Sequence, residues 1–197
     1  MDDRIAWHFT SDTLRDGSPI PAVGETLRFD GEIRLCERGY HWSLKPHQAL
    51  GYAPGHLLHM VRYGGEVLTG DDKGASSERT ILTTIDAETL MRRFAADQAL
   101  SVAHLWDMPK IVREYLTTLD ETKRAAAKGS VWANTYAAQD AVVADAAEAA
   151  AVWAAAWAET AARYDPSHLL HAAARASARA EFDRRVYAAF GVSDNGK

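Results

Sequence analysis

The run Cys36-Glu37-Arg38-Gly39-Tyr40-His41-Trp42-Ser43-Leu44-Lys45-Pro46-His47-Gln48-Ala49-Leu50-Gly51-Tyr52-Ala53-Pro54-Gly55 reads as a strand end, a turn and a short helix. Lys45 to Leu50 suits the helix, with Pro46 early, where its missing N–H is not needed. Downstream, Leu57 to Tyr63 is rich in residues that favour an extended chain. Upstream, Ile5 to Thr10 reads as an early strand. A histidine-bearing loop held between strands is where a rigid scaffold displays chemistry. This stretch therefore sets both the fold class and the place to look for a site.

With 197 residues, the chain is long enough for one large domain or two small ones with a real core. The formal charge of -5 excludes a broad electrostatic grip on nucleic acid, although a local basic pocket stays open. A single cysteine rules out an intramolecular disulfide or a multi-cysteine metal site. Cys36 closes the stretch Ile33-Arg34-Leu35-Cys36 and is expected as a small buried core residue. Met1-Asp2-Asp3-Arg4 lacks the basic start and apolar run of a secretory signal. The alanine-rich segment from Ala144 to Ala162 is broken by Asp145, Glu148 and Glu159, so no membrane span is expected there. A cytoplasmic protein is the expectation.

The chain changes character near residue 85. Residues 1–85 read as mixed α/β, with strands at Ile5–Thr10, Thr26–Phe29, Ile33–Cys36, Leu57–Tyr63, Glu66–Leu68 and Thr80–Ile85. Asp16-Gly17-Ser18-Pro19 and Gly64-Gly65 are read as turns, the second as a hairpin. Residues 86–197 read as helical and alanine-rich. Asp86 opens one helix and Pro109 another, whose apolar stripe is Ile111, Val112, Tyr115 and Leu116. Gly129-Ser130 is read as a break, with Ser130 capping a long helix to Tyr164; Asp165-Pro166 then opens the last helix to Phe190. Three- and four-residue steps through Val142, Ala146, Ala149, Trp153, Trp157 and Tyr164, and through Leu170, Ala174, Ala178, Phe182 and Val186, predict a hairpin or bundle. Small residues there let backbones approach while Trp153, Phe182 and Val186 fill the interface. The fold class is thus α+β: a small twisted N-terminal sheet followed by an alanine-rich helical hairpin or bundle.

His8 sits on a strand whose alternation sends it to the face opposite Trp7 and Phe9. His41 follows Gly39, with Ser43 on the same face if the strand persists. Two imidazoles and a hydroxyl on one cleft suit a phosphate or ribose edge. Arg79 borders a strand and can present a fixed cation to an anionic ligand. Metal binding is not expected: His56 and His59 fall on opposite faces of a strand, and His168 with His171 lack a third ligand at typical spacing. No phosphate loop, G-x-G-x-x-G or G-x-S-x-G motif is present.

Two resemblances start from these residues. Leu14-Arg15-Asp16-Gly17, then Cys36, Gly39, His41, Ser43, Pro46, Ala49, Leu50 and Tyr52-Ala53-Pro54-Gly55, then Gly70-Asp71-Asp72-Lys73 and Arg79, resemble an uncharacterised domain family of phage and bacterial proteins. That likeness implies a phage or prophage context and an alanine- and tryptophan-rich helical tail. Trp7-His8-Phe9-Thr10, Gly39-Tyr40-His41-Trp42-Ser43 and Ala49-Leu50-Gly51-Tyr52 occur in the order found in the ADP-ribosyltransferase superfamily, and the His-x-Ser form is similar to its RNA 2′-phosphotransferase branch. Phe9 stands where that superfamily carries a small residue, and no late catalytic glutamate is in place. The resemblance implies NAD as cofactor, His8 and His41 as catalytic residues, and Thr10, Ser43, Tyr52 and Arg79 as cofactor-binding residues. In that picture His8 meets the ribose, His41 and Tyr52 frame the nicotinamide or base, and Arg79 pairs with phosphate.

Three functions follow as expectations. One is a transferase of nucleotide or NAD chemistry acting on a host macromolecule in the host cytoplasm. Another is a non-catalytic phage accessory or anti-defence protein that binds a host protein or a nucleotide. The third is a structural or immunity-like helical partner. No membrane partner is expected, and the helical tail offers a surface for self-association.

Overall fold

The computed structural model describes residues 4–101, 103–105, 108–135 and 168–193. The fold is α+β, with a small antiparallel sheet at the N-terminus followed by helices. The chain forms two compact units, Met1–Glu88 with Arg179–Lys197, and Thr89–Ala178.

In the first unit, β1 (Ile5–Thr10), β2 (Thr26–Arg28), β3 (Tyr40–Trp42), α1 (Pro46–Leu50), β4 (Leu57–Thr69) and β5 (Gly74–Asp86) succeed one another. The sheet order is β1-β4-β5-β2, and β3 also pairs with β5. The frame is the β4–β5 hairpin, two strands of 13 residues each. Gly64-Gly65 does not turn the chain, as expected from sequence, but bends a continuous strand. The register shifts between Gly64 and Val67, and Gly65 takes φ +67° with Ser77 Oγ where a Cβ would go. Ser77 Oγ accepts the Glu66 N–H at 2.9 Å, so the bulge keeps its hydrogen bonding. The true turn lies at Gly70 to Lys73, where the Gly70 N–H donates to the Lys73 carbonyl at 2.8 Å.

Ile33–Cys36 is a second correction. It is a tight turn rather than a strand, closed by mutual backbone bonds of 3.0 and 2.9 Å between Arg34 and Arg38. Ile33 and Leu35 alternate as a strand would, but the positive φ of Cys36 and Gly39 folds the chain back on itself, so Ile33 alone is buried and Leu35 is half-buried. Cys36 sits at φ +69° and is exposed, not a core residue.

β1 is held on both edges. It pairs along β4 on one side, and on the other Trp7 exchanges both backbone hydrogen bonds with Ser43, at 2.8 and 2.9 Å. The end of β3 therefore reaches back to β1 while its body pairs with β5. Alternation gives the sheet two different faces. Trp7 and Phe9 point to one, where the Trp7 ring meets Phe190 edge-on at 4.9 Å and Tyr187 at 5.7 Å. Those residues belong to α5 (His168–Phe190), whose Phe182 and Val186 are also fully buried. Asp183 of this helix accepts the His47 N–H at 2.8 Å and its Nδ1–H at 2.7 Å. The other face carries Ala6, Val61, Ile81 and Trp42 as a small core, with Trp42 stacked on Tyr63 at 3.8 Å. His8 and Arg79 lie on that face.

The second unit holds α2 (Glu88–Ser101) beyond its first residue, a single 3-10 turn at Ala103–Leu105, α3 (Lys110–Thr118) and α4 (Glu121–Thr135). Val112, Tyr115 and Leu116 form the expected stripe of α3 and pack with Ala96, Met108 and Ala127. Arg93 Nη1 donates to the carbonyls of Leu116 and Thr117, closing the end of α3. Gly129-Ser130 does not break the chain, because α4 runs straight through it. Trp153 and Trp157 lie outside the described residues.

Candidate functional site

Register builds the site. β1 and β4 pair so that His8 lies opposite His59, and β4 and β5 pair so that His59 lies opposite Thr84. The His8 and His59 rings are within 27° of parallel at 6.3 Å. His59 is fully buried. Its Nε2 meets Thr10 Oγ1 and its Nδ1 meets Thr84 Oγ1, both at 2.8 Å. Burial, then the Arg79 charge, lowers its pKa to about 4. Thr10 is itself buried, and its hydroxyl serves His59.

Arg79 is 4% exposed. Its Nη1 donates to the His41 carbonyl at 2.8 Å, and its guanidinium carbon lies 5.3 Å from the Tyr40 ring centre. Nε has no hydrogen-bond partner among the described residues. Burial pulls the pKa down to about 10, so the group remains a cation at neutral pH. Among the described residues no carboxylate pairs with it. The neighbouring Glu78 is engaged by Arg28 at 3.1 Å instead.

His8 is half-buried, and its ring makes no hydrogen bond among the described residues. Burial, followed by the charges of Arg79, His59 and His41, pushes its pKa well below the ordinary value. His41 is in a different position. Its Nε2 accepts the Cys36 N–H at 2.8 Å. The imidazole thus clamps the turn in which Cys36 and Gly39 both have positive φ. A Cβ on Gly39 would strike Ile33, so only glycine fits. Burial and the charges of Arg79, Arg15 and Lys73 lower the His41 pKa.

Tyr52 is 50% exposed. Its hydroxyl donates to Asp72 Oδ2 at 2.6 Å and accepts from Lys73 Nζ at 3.1 Å, and the ammonium lies 4.2 Å from its ring centre. Hydrogen bonds to Tyr52 and then to Cys36 raise the Lys73 pKa. Tyr52 therefore joins the cluster only indirectly, through Lys73, Cys36 and His41. Ser43 is buried, and its backbone ties β3 to β1. The hollow beside Lys73, lined by Trp42, Leu44, Gln48 and Asp71, is a dimple of about 10 Å³, room for about one water and far below the ~300 Å³ of a small-molecule pocket.

The structure thus brings His8, His41 and Arg79 together, with Thr10 behind them and Tyr52 at a remove. One family model, described as a domain of unknown function (DUF7666), matches residues 5–93. Neither a curated protein nor a solved structure matches the chain. The matched segment contains every residue of the cluster just described. Sequence reasoning missed His59, Tyr40 and Lys73. His59 gains its place only from its register with His8, and that register has no local signal. His56 lies 4.0 Å from Asp86, and the side chains of His168 and His171 lie outside those described. Among the described residues, no group of three His, Cys, Asp or Glu side chains is placed to hold a metal ion. Among them, too, no helix is long and apolar enough to cross a membrane.

Proposed function

We propose that the sheet unit binds an NAD-like or other phosphorylated nucleotide ligand, with Arg79 as the anion contact and His8 beside it. The observation that carries this reading is the buried Arg79 cation with an unfilled Nε and no carboxylate partner among the described residues. A buried charge without a counterion is costly, so such a group is kept where an anion arrives to pair with it. Lys73 and Arg15 add positive charge around His41, and the exposed ring of Tyr52 gives a base a stacking surface. His41 takes the role of a positioning residue, because a catalytic role would require its ring to leave the turn. The resemblance to ADP-ribosyltransferases extends the reading to ADP-ribosyl transfer onto a host macromolecule in a phage-infected cytoplasm.

A second reading is favoured by one observation. Among the described residues no carboxylate acts on His8 or Arg79, Asp72 being bonded to Tyr52 instead, whereas transfer from NAD develops positive charge at the ribose and needs a fixed anion nearby. On that reading the protein is a non-catalytic phage accessory that binds a nucleotide or a host protein.

Thermal shift with NAD and ADP-ribose tests the binding, because a ligand that binds the native state raises its melting temperature. Arg79→Met provides the control. Removing an unpaired buried charge should keep or raise the melting temperature while abolishing the ligand-induced rise. A ligand shift that survives in Arg79→Met would sink the reading, and an unfolded variant would make Arg79 structural. Release of nicotinamide from NAD separates the enzyme from the binder.

A further inference from the structure

We infer that an anion bound at Arg79 draws a proton onto His8, so that this site takes up its ligand as an anion together with a proton. The inference rests on the anion-binding reading above and adds to it the charge the ligand must carry.

Three groups act on His8, one from each strand packed around it: His59 from β4, whose ring lies 6.3 Å away, and Arg79 from β5 with His41 from β3, joined at 2.8 Å beside the Trp7–Ser43 bridge. Two of the three imidazoles in this cluster are committed. His59 has both nitrogens engaged by Thr10 and Thr84, and His41 has its Nε2 engaged by the Cys36 N–H. Among the three, and counting only the described residues, His8 alone has both nitrogens without a partner, and it alone of His8 and His59 is reached by solvent. It is therefore the group free to change protonation when a charge enters.

In the protein alone, burial and the Arg79 cation both act against a charged His8. A ligand carrying two negative charges reverses that field, because it outweighs the single guanidinium. One proton on His8 then balances the set: two negative charges against Arg79 and the imidazolium. Protonated His8 also gains a second N–H donor for the ligand oxygens. The matching ligand class is a dianionic phosphate group or a diphosphate with one charge on each phosphorus.

The direction with pH is fixed by linkage. The complex holds more protons than the free protein, so affinity rises as pH falls through the complexed His8 value. It levels off below the value for free His8.

The test is calorimetric titration of ADP-ribose into the full chain at pH 7, in a buffer of low ionisation enthalpy (PIPES) and one of high ionisation enthalpy (Tris). The heats should differ by the equivalent of a fraction of a proton up to one proton taken up. The dissociation constant should weaken by up to about tenfold per pH unit across the sensitive range. His8→Gln should abolish both effects. Binding with equal heats and a pH-independent constant overturns this inference and leaves the anion pocket standing. Proton uptake that persists in a folded His8→Gln variant also overturns it, by placing the proton elsewhere. If that variant does not fold, the shift of the His8 imidazole resonances on titrating the unaltered chain decides the same point. Absence of binding in any buffer overturns both readings.

Discussion

Enclosed between Thr10 and Thr84, the His59 ring satisfies both nitrogens as a neutral imidazole that donates to one hydroxyl and accepts from the other. With its folded-state pKa lowered to about 4 from 6.5, the unfolded chain binds a proton in that interval and the folded chain does not. Stability contributed by the neutral ring is therefore complete above pH 6.5 and is lost as pH falls towards 4, by about 3 kcal/mol. His8 and His41 shift in the same direction and steepen the loss. Urea midpoints measured at pH 7 and pH 4.5 should fall sharply on acidification; a flat profile would mean that His59 titrates normally. Thr84→Val keeps the shape but strands one imidazole nitrogen, and should cost about 1–3 kcal/mol. At this scale the sequence showed His8 and Arg79 because both stand out against their strands. His59 did not, since nothing within Leu57 to Tyr63 marks it apart from its partner across the sheet.

Two glycines show how the elements are shaped, and they predict opposite outcomes. Gly74 opens β5 directly against Trp42, and a Cβ there would overlap the indole ring. That ring is stacked on Tyr63 and fully buried, so it has nowhere to move. Gly74→Ala should destabilise the sheet unit by about 1–3 kcal/mol, the usual cost of overpacking. Gly129 lies inside α4 with nothing within 4 Å of its added Cβ. Gly129→Ala should stabilise that helix by about 0.5–1 kcal/mol, and a loss of helicity by circular dichroism would contradict the placement. The same pair explains the limits of reading elements from sequence. β1 and α1 were legible because patterning and Pro46 act locally. Gly64-Gly65 and Gly129-Ser130 were misread because glycine signals a turn only when no neighbouring strand or helix overrides it. At the first, pairing with β5 does so; at the second, the helical run on both sides does.

At the scale of the molecule, the sheet unit draws on two distant parts of the chain. The change of pattern near residue 85 was visible, but helical periodicity at Phe182 and Val186 says only that a face is buried, not against which element. That face is buried in the first unit, where Trp7 meets Tyr187 and Phe190. The family match ends at residue 93, short of the helix that covers Trp7. Residues 5–93 alone would therefore expose Trp7 to water and lose the two hydrogen bonds His47 makes to Asp183. A chain ending at Ala178 should lose cooperative unfolding of the sheet unit, seen as loss of tertiary aromatic circular dichroism. Asp183→Ala is the milder form of the same experiment. It removes a buried carboxylate that accepts both bonds from His47, and should cost about 3 kcal/mol by denaturant titration. His47 sits four residues beyond Ser43, whose backbone bridges to Trp7, so loosening this tie should also reach the site. Amide exchange at Trp7 and Ser43 should accelerate in Asp183→Ala. Unchanged exchange there would mean that the C-terminal helix stabilises the unit without holding β1 and β3 together.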